Sequence, residues 1–196
     1  MRYLFNHFRL ITWFVSNCQS FSGRNEYVEE MQKTVDVDIY GKCFGKKLLE
    51  KESFEEVRTL SSYKFYLSFE NSRCPEYATE KIYKVLNMKM LDNPPVPIVM
   101  GPNRTWYKNN LPQHSYIHVD DYKTPTELSN YLIYLNQEPD LYFEYLTWRR
   151  NHTKVEDSTL RCKMCNKLVE GGHIKENPYR IQNFELFWRK SDCNRY

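Results

Sequence analysis

The sequence predicts an α/β protein built on a mostly parallel sheet with helices on both faces. Three observations carry this. Short apolar runs rich in aromatic and β-branched residues recur, among them ITWFVS at 11–16, YKFYLSF at 63–69 and VPIVM at 96–100. Segments with helical spacing or helix-start signals fall between them. Strands that alternate with helices need crossover connections, and these build parallel sheets.

The elements follow in order. Residues 11–16 read as a buried strand and 17–23 as a polar loop. Tyr27, Val28 and Met31 share one face of a helix expected over 24–34. VDVDIY at 35–40 alternates like a strand and stops at Gly41. The charged stretch 45–62 lacks a clear period and reads as loop with at most one helical turn. After the strand at 63–69, a helix is expected over 79–90, stopped by Pro94 and Pro95. The strand at 96–100 closes on Gly101-Pro102, a short helix follows over 103–110, and YIHV at 116–119 is a strand running into Asp120-Asp121. Pro125 and Pro139 each sit near the first turn of a helix, over 125–136 and toward Arg150. Beyond Asn151 the pattern weakens, although NFELFWR at 183–189 looks amphipathic enough to dock back on the body. The expected organisation is an extension at 1–10, one lobe at 11–152 and a second extension at 153–196.

The 196 residues suffice for one domain with a substantial core, and 16% aromatic residues argue against disorder. A net charge of +3 is too balanced for a nucleic-acid footprint but leaves room for a local basic pocket. The apolar run at 10–15 is far short of the ~20 residues of a membrane span. Residues 1–9 do not read as a signal peptide. Six cysteines and two glycosylation sequons, at Asn103 and Asn151, point the other way, toward a secretory environment.

In an open α/β sheet, ligands bind beyond the carboxyl ends of the strands. Three strand ends carry polar residues: Ser16-Asn17 with Arg24, Glu70-Asn71 with Tyr77, Glu80 and Lys81, and Gly101 to Arg104. Arg24 and Lys81 each fall at a helix start after a loop. A diphosphate suits such a place, since Arg offers a planar fork, Lys a point charge and the helix its N-terminal dipole. An ionised Glu80 could accept both hydroxyls of a ribose. By spacing alone, a solvated helix start, with Glu favoured by the dipole, is the commoner reading of Glu80-Lys81. Tyr66 and Tyr77 flank this loop, and either could stack on a base or hydrogen-bond a phosphate.

Cys162-Lys163-Met164-Cys165 is a CxxC motif. With His152, His173 or Cys193 it matches no standard zinc spacing, and structural disulfides are the competing reading. Cys18 and Cys43 each follow a predicted strand end and form a plausible pair. Asp120-Asp121 reads as a helix N-cap or, less simply, a metal site. The five histidines are scattered and assemble no triad.

At Phe65–Asn71 (FYLSFEN), with Tyr77 and Thr79-Glu80-Lys81, the sequence resembles the α-1,3-fucosyltransferases (glycosyltransferase family ten), whose pattern runs FYLxFENSxxxDYxTEK. Glu76 and Ala78 depart from it. VPIVMGP at 96–102, SYIHVDDY at 115–122, WFVSN at 13–17 with Arg24, and VDIYG at 37–41 resemble further family segments.

The resemblance implies the carboxyl-terminal, Rossmann-like half of a GT-B fold that binds GDP-fucose. It implies that Arg24 and Lys81 neutralise the diphosphate, that Glu80 holds the ribose, and that Ser16, Asn17, Tyr66, Asn71 and Tyr77 line nucleotide and fucose. The implied reaction is inverting transfer of L-fucose from GDP-β-L-fucose to the 3-hydroxyl of N-acetylglucosamine in a glycan. No metal or other cofactor is expected in the chemical step, and a wider metal dependence stays open. Partners are the donor and a glycoprotein or glycolipid acceptor. The setting is the Golgi lumen, with membrane attachment through a segment not seen in this sequence.

The family's base lies in an amino-terminal lobe, and this chain is expected to begin at the second lobe. Its catalytic base is therefore unknown, with Glu70 a conceivable substitute that reads better as structural. A non-catalytic GDP-fucose-binding fragment is the alternative. Fourteen residues separate Lys81 from Val96, more than the family pattern implies, and the surplus Asp92-Asn93-Pro94-Pro95 reads as a surface loop or a gene-model error.

Overall fold

A computed structural model describes residues 9–45, 49, 53–152 and 193. Five parallel strands form one sheet in the order β2-β1-β3-β4-β5. They are β1 (Arg9–Phe14), β2 (Val37–Tyr40), β3 (Tyr63–Phe69), β4 (Val96–Met100) and β5 (Ile117–His118). From β1, next to the edge, the chain winds outward to β2 and then returns to the other side of β1. The order therefore reverses between β1 and β3, and a crevice opens at their carboxyl ends.

Helices cover both faces. On one side α1 (Arg24–Met31), α5 (Pro125–Gln137) and α6 (Pro139–Thr147) bury Val28, Met31, Leu128, Leu132, Leu135 and Leu146 against Ile11, Trp13, Phe65, Leu67 and Phe69. On the other, α2 (Phe54–Leu60), α3 (Glu80–Leu86) and α4 (Arg104–Asn110) cover two smaller clusters. One joins Leu60, Tyr66, Val85 and Met88; the other joins Ile82, Val99, Tyr107 and Leu111. The alternation of β3 explains the division, since odd positions 65, 67 and 69 face one layer and Tyr66 the other. Each such aromatic or leucine contributes about 1.5–3 kcal/mol by leaving water.

β3 and β4 have the predicted bounds. The other differences have local causes. β1 begins at Arg9, whose N–H donates to the Ser62 carbonyl. α1 stops at Met31, not Thr34, because the next turn tightens: the N–H groups of Lys33 and Thr34 reach Glu30 and Met31. α2 is a full helix where a loop with one turn was expected; Ser53 caps it by accepting from the Glu56 N–H. α3 ends at Leu86 rather than Met90. There Arg149 donates to the carbonyls of Val85, Leu86 and Met88, the groups a helix end leaves unpaired. β5 shrinks to two residues because Val119–Asp121 winds into a 3-10 turn. The end of the last predicted helix, Trp148–Arg150, is likewise 3-10.

Two expectations are corrected. The surplus segment is no surface loop. Pro94 and Pro95 are buried, Ser61 donates to the Asp92 carbonyl, and the Asn93 amide donates to the Ser61 carbonyl. Asp120-Asp121 does not cap α5, whose N-cap is Thr124. Asp120 pairs with Arg73 and Asp121 with Arg104.

Candidate functional site

β1 and β3 end side by side, and the loops leaving them are stitched together. Ser22 donates to the Glu70 carbonyl at 2.7 Å and the Phe21 N–H to the Asn71 carbonyl at 2.9 Å. Gly41, at φ 115°, brings the end of β2 so close that a Cβ there would lie 2.1 Å from the Val15 carbonyl oxygen. The disulfide Cys18–Cys43, with Cα atoms 5.4 Å apart, ties the loops after β1 and β2, as their adjacency requires.

A cavity of about 450 Å³ opens in this crevice. Ser16, Asn17, Arg24, Tyr66, Asn71, Tyr77, Glu80 and Lys81 all line it, as do Phe14, Tyr40, Glu56 and Lys84. The eight residues expected to share a site thus meet in one place.

Their electrostatics differ from a simple pair of exposed cations. Arg24 is only 2% exposed. Its guanidinium donates to the carbonyls of Phe69 (3.0 Å) and Asn17 (2.6 Å) and stacks over Trp13, while its Nε has no partner. Burial pulls its pKa down, with Glu70, Tyr77 and Tyr66 opposing. No carboxylate lies within ion-pair distance of it among the described residues. Lys81 is held otherwise. Its ammonium donates to Glu70 (2.8 Å) and to Thr79 Oγ1 (2.7 Å). Glu70, buried at the end of β3, also accepts from the Thr79 N–H at 2.8 Å and from the Thr79 hydroxyl. It therefore pins both the N-cap of α3 and the lysine two residues after it. Gly101 makes this possible, since a Cβ there would stand 2.8 Å from Glu70 Cγ.

Tyr66 lines the cavity but is only 1% exposed, packed with Leu60, Val85 and Met88. Burial raises its pKa far above the usual phenol value. Tyr77 donates to Asn71 Oδ1 at 2.8 Å, which orients both over the cavity mouth. Burial, then Glu70 and Glu80, raise the Tyr77 pKa.

Residues 5–184 match the family model of glycosyltransferase family 10 (fucosyltransferase), carboxyl-terminal part. The chain belongs to this family. Among similar proteins, glycoprotein 3-alpha-L-fucosyltransferase A of Drosophila melanogaster is 38% identical over 191 residues, 96% of this chain and 37% of its own length. The 4-galactosyl-N-acetylglucosaminide 3-alpha-L-fucosyltransferase 9 of Homo sapiens is 39% identical over 145 residues, 74% of this chain and 38% of its own length. The chain thus spans under two-fifths of these relatives. Crystal structures of alpha1,3-fucosyltransferase share the fold. The one with GDP-fucose aligns with a TM-score of 0.59 at 24% identity, over 78% of this chain and 42% of that one. The one with GDP reaches 0.62 at 21% identity, over 86% and 49%.

Within this member of the family, several residues escaped the sequence reading. Glu56 and Lys84 form a second carboxylate–ammonium pair at 2.5 Å on the cavity wall. The i, i+4 spacing puts Lys84 on the face of Glu80, and no local pattern marks Glu56. Cys193, weighed above as a zinc ligand, is bonded to Cys74 in the loop that carries Asn71 and Tyr77. The CxxC cysteines Cys162 and Cys165 lie outside the described residues. Both sequon asparagines are exposed, and Asn103 caps α4 by accepting from the Trp106 N–H. Among the described residues no group of three or more His, Cys, Asp or Glu could hold a metal ion, and no helix is long and apolar enough to cross a membrane.

Proposed function

We propose that residues 9–152 form the donor-binding lobe of an α-1,3-fucosyltransferase and that the cavity holds GDP-fucose. The observation that carries this is Arg24, a buried cation on the cavity wall with no carboxylate partner and an unsatisfied Nε. A buried charge is costly unless something pairs with it. A diphosphate supplies that partner.

In this reading Arg24 and Lys81 balance the charge that grows on the GDP leaving group as the bond between fucose C1 and the β-phosphate oxygen breaks. The acceptor's 3-hydroxyl attacks C1 from the opposite face, with inversion, and gives its proton to a base. Glu80 holds the ribose, Asn71 and Tyr77 close the mouth, and Ser16 and Asn17 border the sugar. Glu70 is not that base. It is buried and engaged by Lys81 and Thr79, which makes it the support of the cation. The base then comes from outside this cavity, in keeping with the amino-terminal lobe that the family resemblance implies. Relatives named for glycoprotein and galactosyl-N-acetylglucosaminide acceptors support a glycan acceptor, and the Golgi setting is what the family resemblance implies.

Calorimetric titration with GDP-fucose and GDP tests the reading. Saturable binding that Arg24→Ala and Lys81→Ala both weaken supports it. A folded parent that binds neither ligand overturns it. The second reading, binding without transfer, is favoured by the engagement of Glu56 and Glu70 with lysines. Fucose transfer to an N-acetylglucosamine acceptor by the 196-residue chain alone would end it.

A further inference from the structure

Beyond the eight residues assigned above, the cavity runs on along α3 to a wall that the reaction does not use. Lys84 lies one helical turn past Glu80, about 6 Å along the axis and on the same face. Its ammonium meets Glu56 at 2.5 Å and lies 5.7 Å from the centre of the Phe14 ring. The side chains are 21% and 6% exposed. Such a pair is poorly explained by stability, because an apolar replacement of a buried ion pair is often as stable or more so. Phe14, over whose ring Lys84 lies, packs against the apolar cluster of Leu60, Tyr66, Val85 and Met88.

We propose that the Glu56–Lys84 pair reads the edge of the nucleobase and selects bases that present a carbonyl beside a ring N–H. This rests on the donor reading above. If Glu80 holds the ribose, the base extends one turn further along α3, to Lys84. An ammonium only donates and a carboxylate only accepts. Side by side they fit guanine, whose O6 accepts and whose N1–H donates. Adenine reverses both, with an amino donor at position 6 and an acceptor at N1. Hypoxanthine and uracil share guanine's order, while cytosine shares adenine's. Neither side chain need be otherwise unpartnered, since a carboxylate has about four acceptor positions and an ammonium three protons.

The test is calorimetric titration of the whole 196-residue chain with GDP, IDP, ADP, UDP and CDP. GDP and IDP are expected to bind alike, ADP at least ~30-fold more weakly than GDP, and CDP more weakly than UDP, in line with the discrimination of a matched pair of contacts. Glu56→Gln and Lys84→Met should each weaken GDP about 10-fold and bring the GDP-to-ADP ratio below about 3. Lys84→Met, at the more exposed partner, still decides the matter if Glu56→Gln fails to fold. ADP binding within threefold of GDP in the parent, or an unchanged ratio in a folded variant, overturns the proposal. GDP binding that needs Arg24 but ignores the base would leave the donor reading standing and end this one. A parent that binds no nucleotide ends both.

Discussion

Two cavities of similar size lie near the carboxyl ends of the strands, and they differ in how their charges are placed. The first, about 450 Å³ between β1 and β3, holds a buried arginine without a carboxylate and two lysines on buried glutamates. The second, about 480 Å³ beside β5, is lined by Arg104, Lys108, His114, His118 and Asp121, and its Arg104–Asp121 pair is more than half exposed on both sides. Volume does not separate them. Burial does, because it makes the first set of charges expensive and the second cheap.

Glu70→Ala should cost about 3–5 kcal/mol in urea unfolding, since it strands Lys81 and the α3 N-cap, whereas Asp121→Ala should cost at most about 1 kcal/mol. Equal losses would erase the distinction. For ligand binding, Arg24→Ala should weaken GDP-fucose by about 2–4 kcal/mol, and Arg104→Ala by less than about 0.3 kcal/mol. Because Arg24 also serves two carbonyls, Arg24→Lys provides the folded control; it keeps the charge and should recover part of the loss. Gly101→Ala sharpens the first cavity further. Pushing Glu70 aside should cost about 1–3 kcal/mol and loosen Lys81, seen as weaker GDP binding.

A pH-dependent effect belongs to the second cavity. His118 is buried, accepts from the Asp120 N–H through Nδ1, and lies 3.3 Å from the Pro102 carbonyl through Nε2. Burial lowers its pKa below the ordinary 6.5, against the pull of Asp120. The unfolded chain therefore takes up the proton first. Stability should fall as pH drops below 6.5, by at most about 1.4 kcal/mol per pH unit for one proton. His118→Gln should flatten that slope between pH 7.5 and 5.5. An identical slope in the variant would place the acid sensitivity elsewhere.

What the sequence revealed follows from the range of the interactions. β3 and β4 were legible because their burial is continuous and Gly or polar residues punctuate them. α2 was not, because a seven-residue helix that buries only Glu56 and Leu60 leaves almost no periodicity. The eight cavity residues were legible because strand ends and helix starts are local features. Their partners were not. Arg24 bonds to two backbone carbonyls, which no side-chain pattern announces. Glu70 reaches Thr79 and Lys81 only because the intervening loop folds back. The Glu56–Lys84 pair spans 28 residues and joins two helices, one of which the sequence hid.

The second disulfide has a consequence in time. Cys18 and Cys43 are 25 residues apart, but Cys74 waits a further 119 residues for Cys193. At roughly 5–20 residues per second, ribosomal synthesis separates the members of the first pair by about 1–5 s and those of the second by about 6–24 s. Throughout the longer interval the loop bearing Asn71 and Tyr77 carries an unmatched thiol, open to capture by a passing Cys43 or by an oxidoreductase. Order of birth thus favours the correct first bond, and leaves the mouth of the cavity as the last part of the described chain to be fastened.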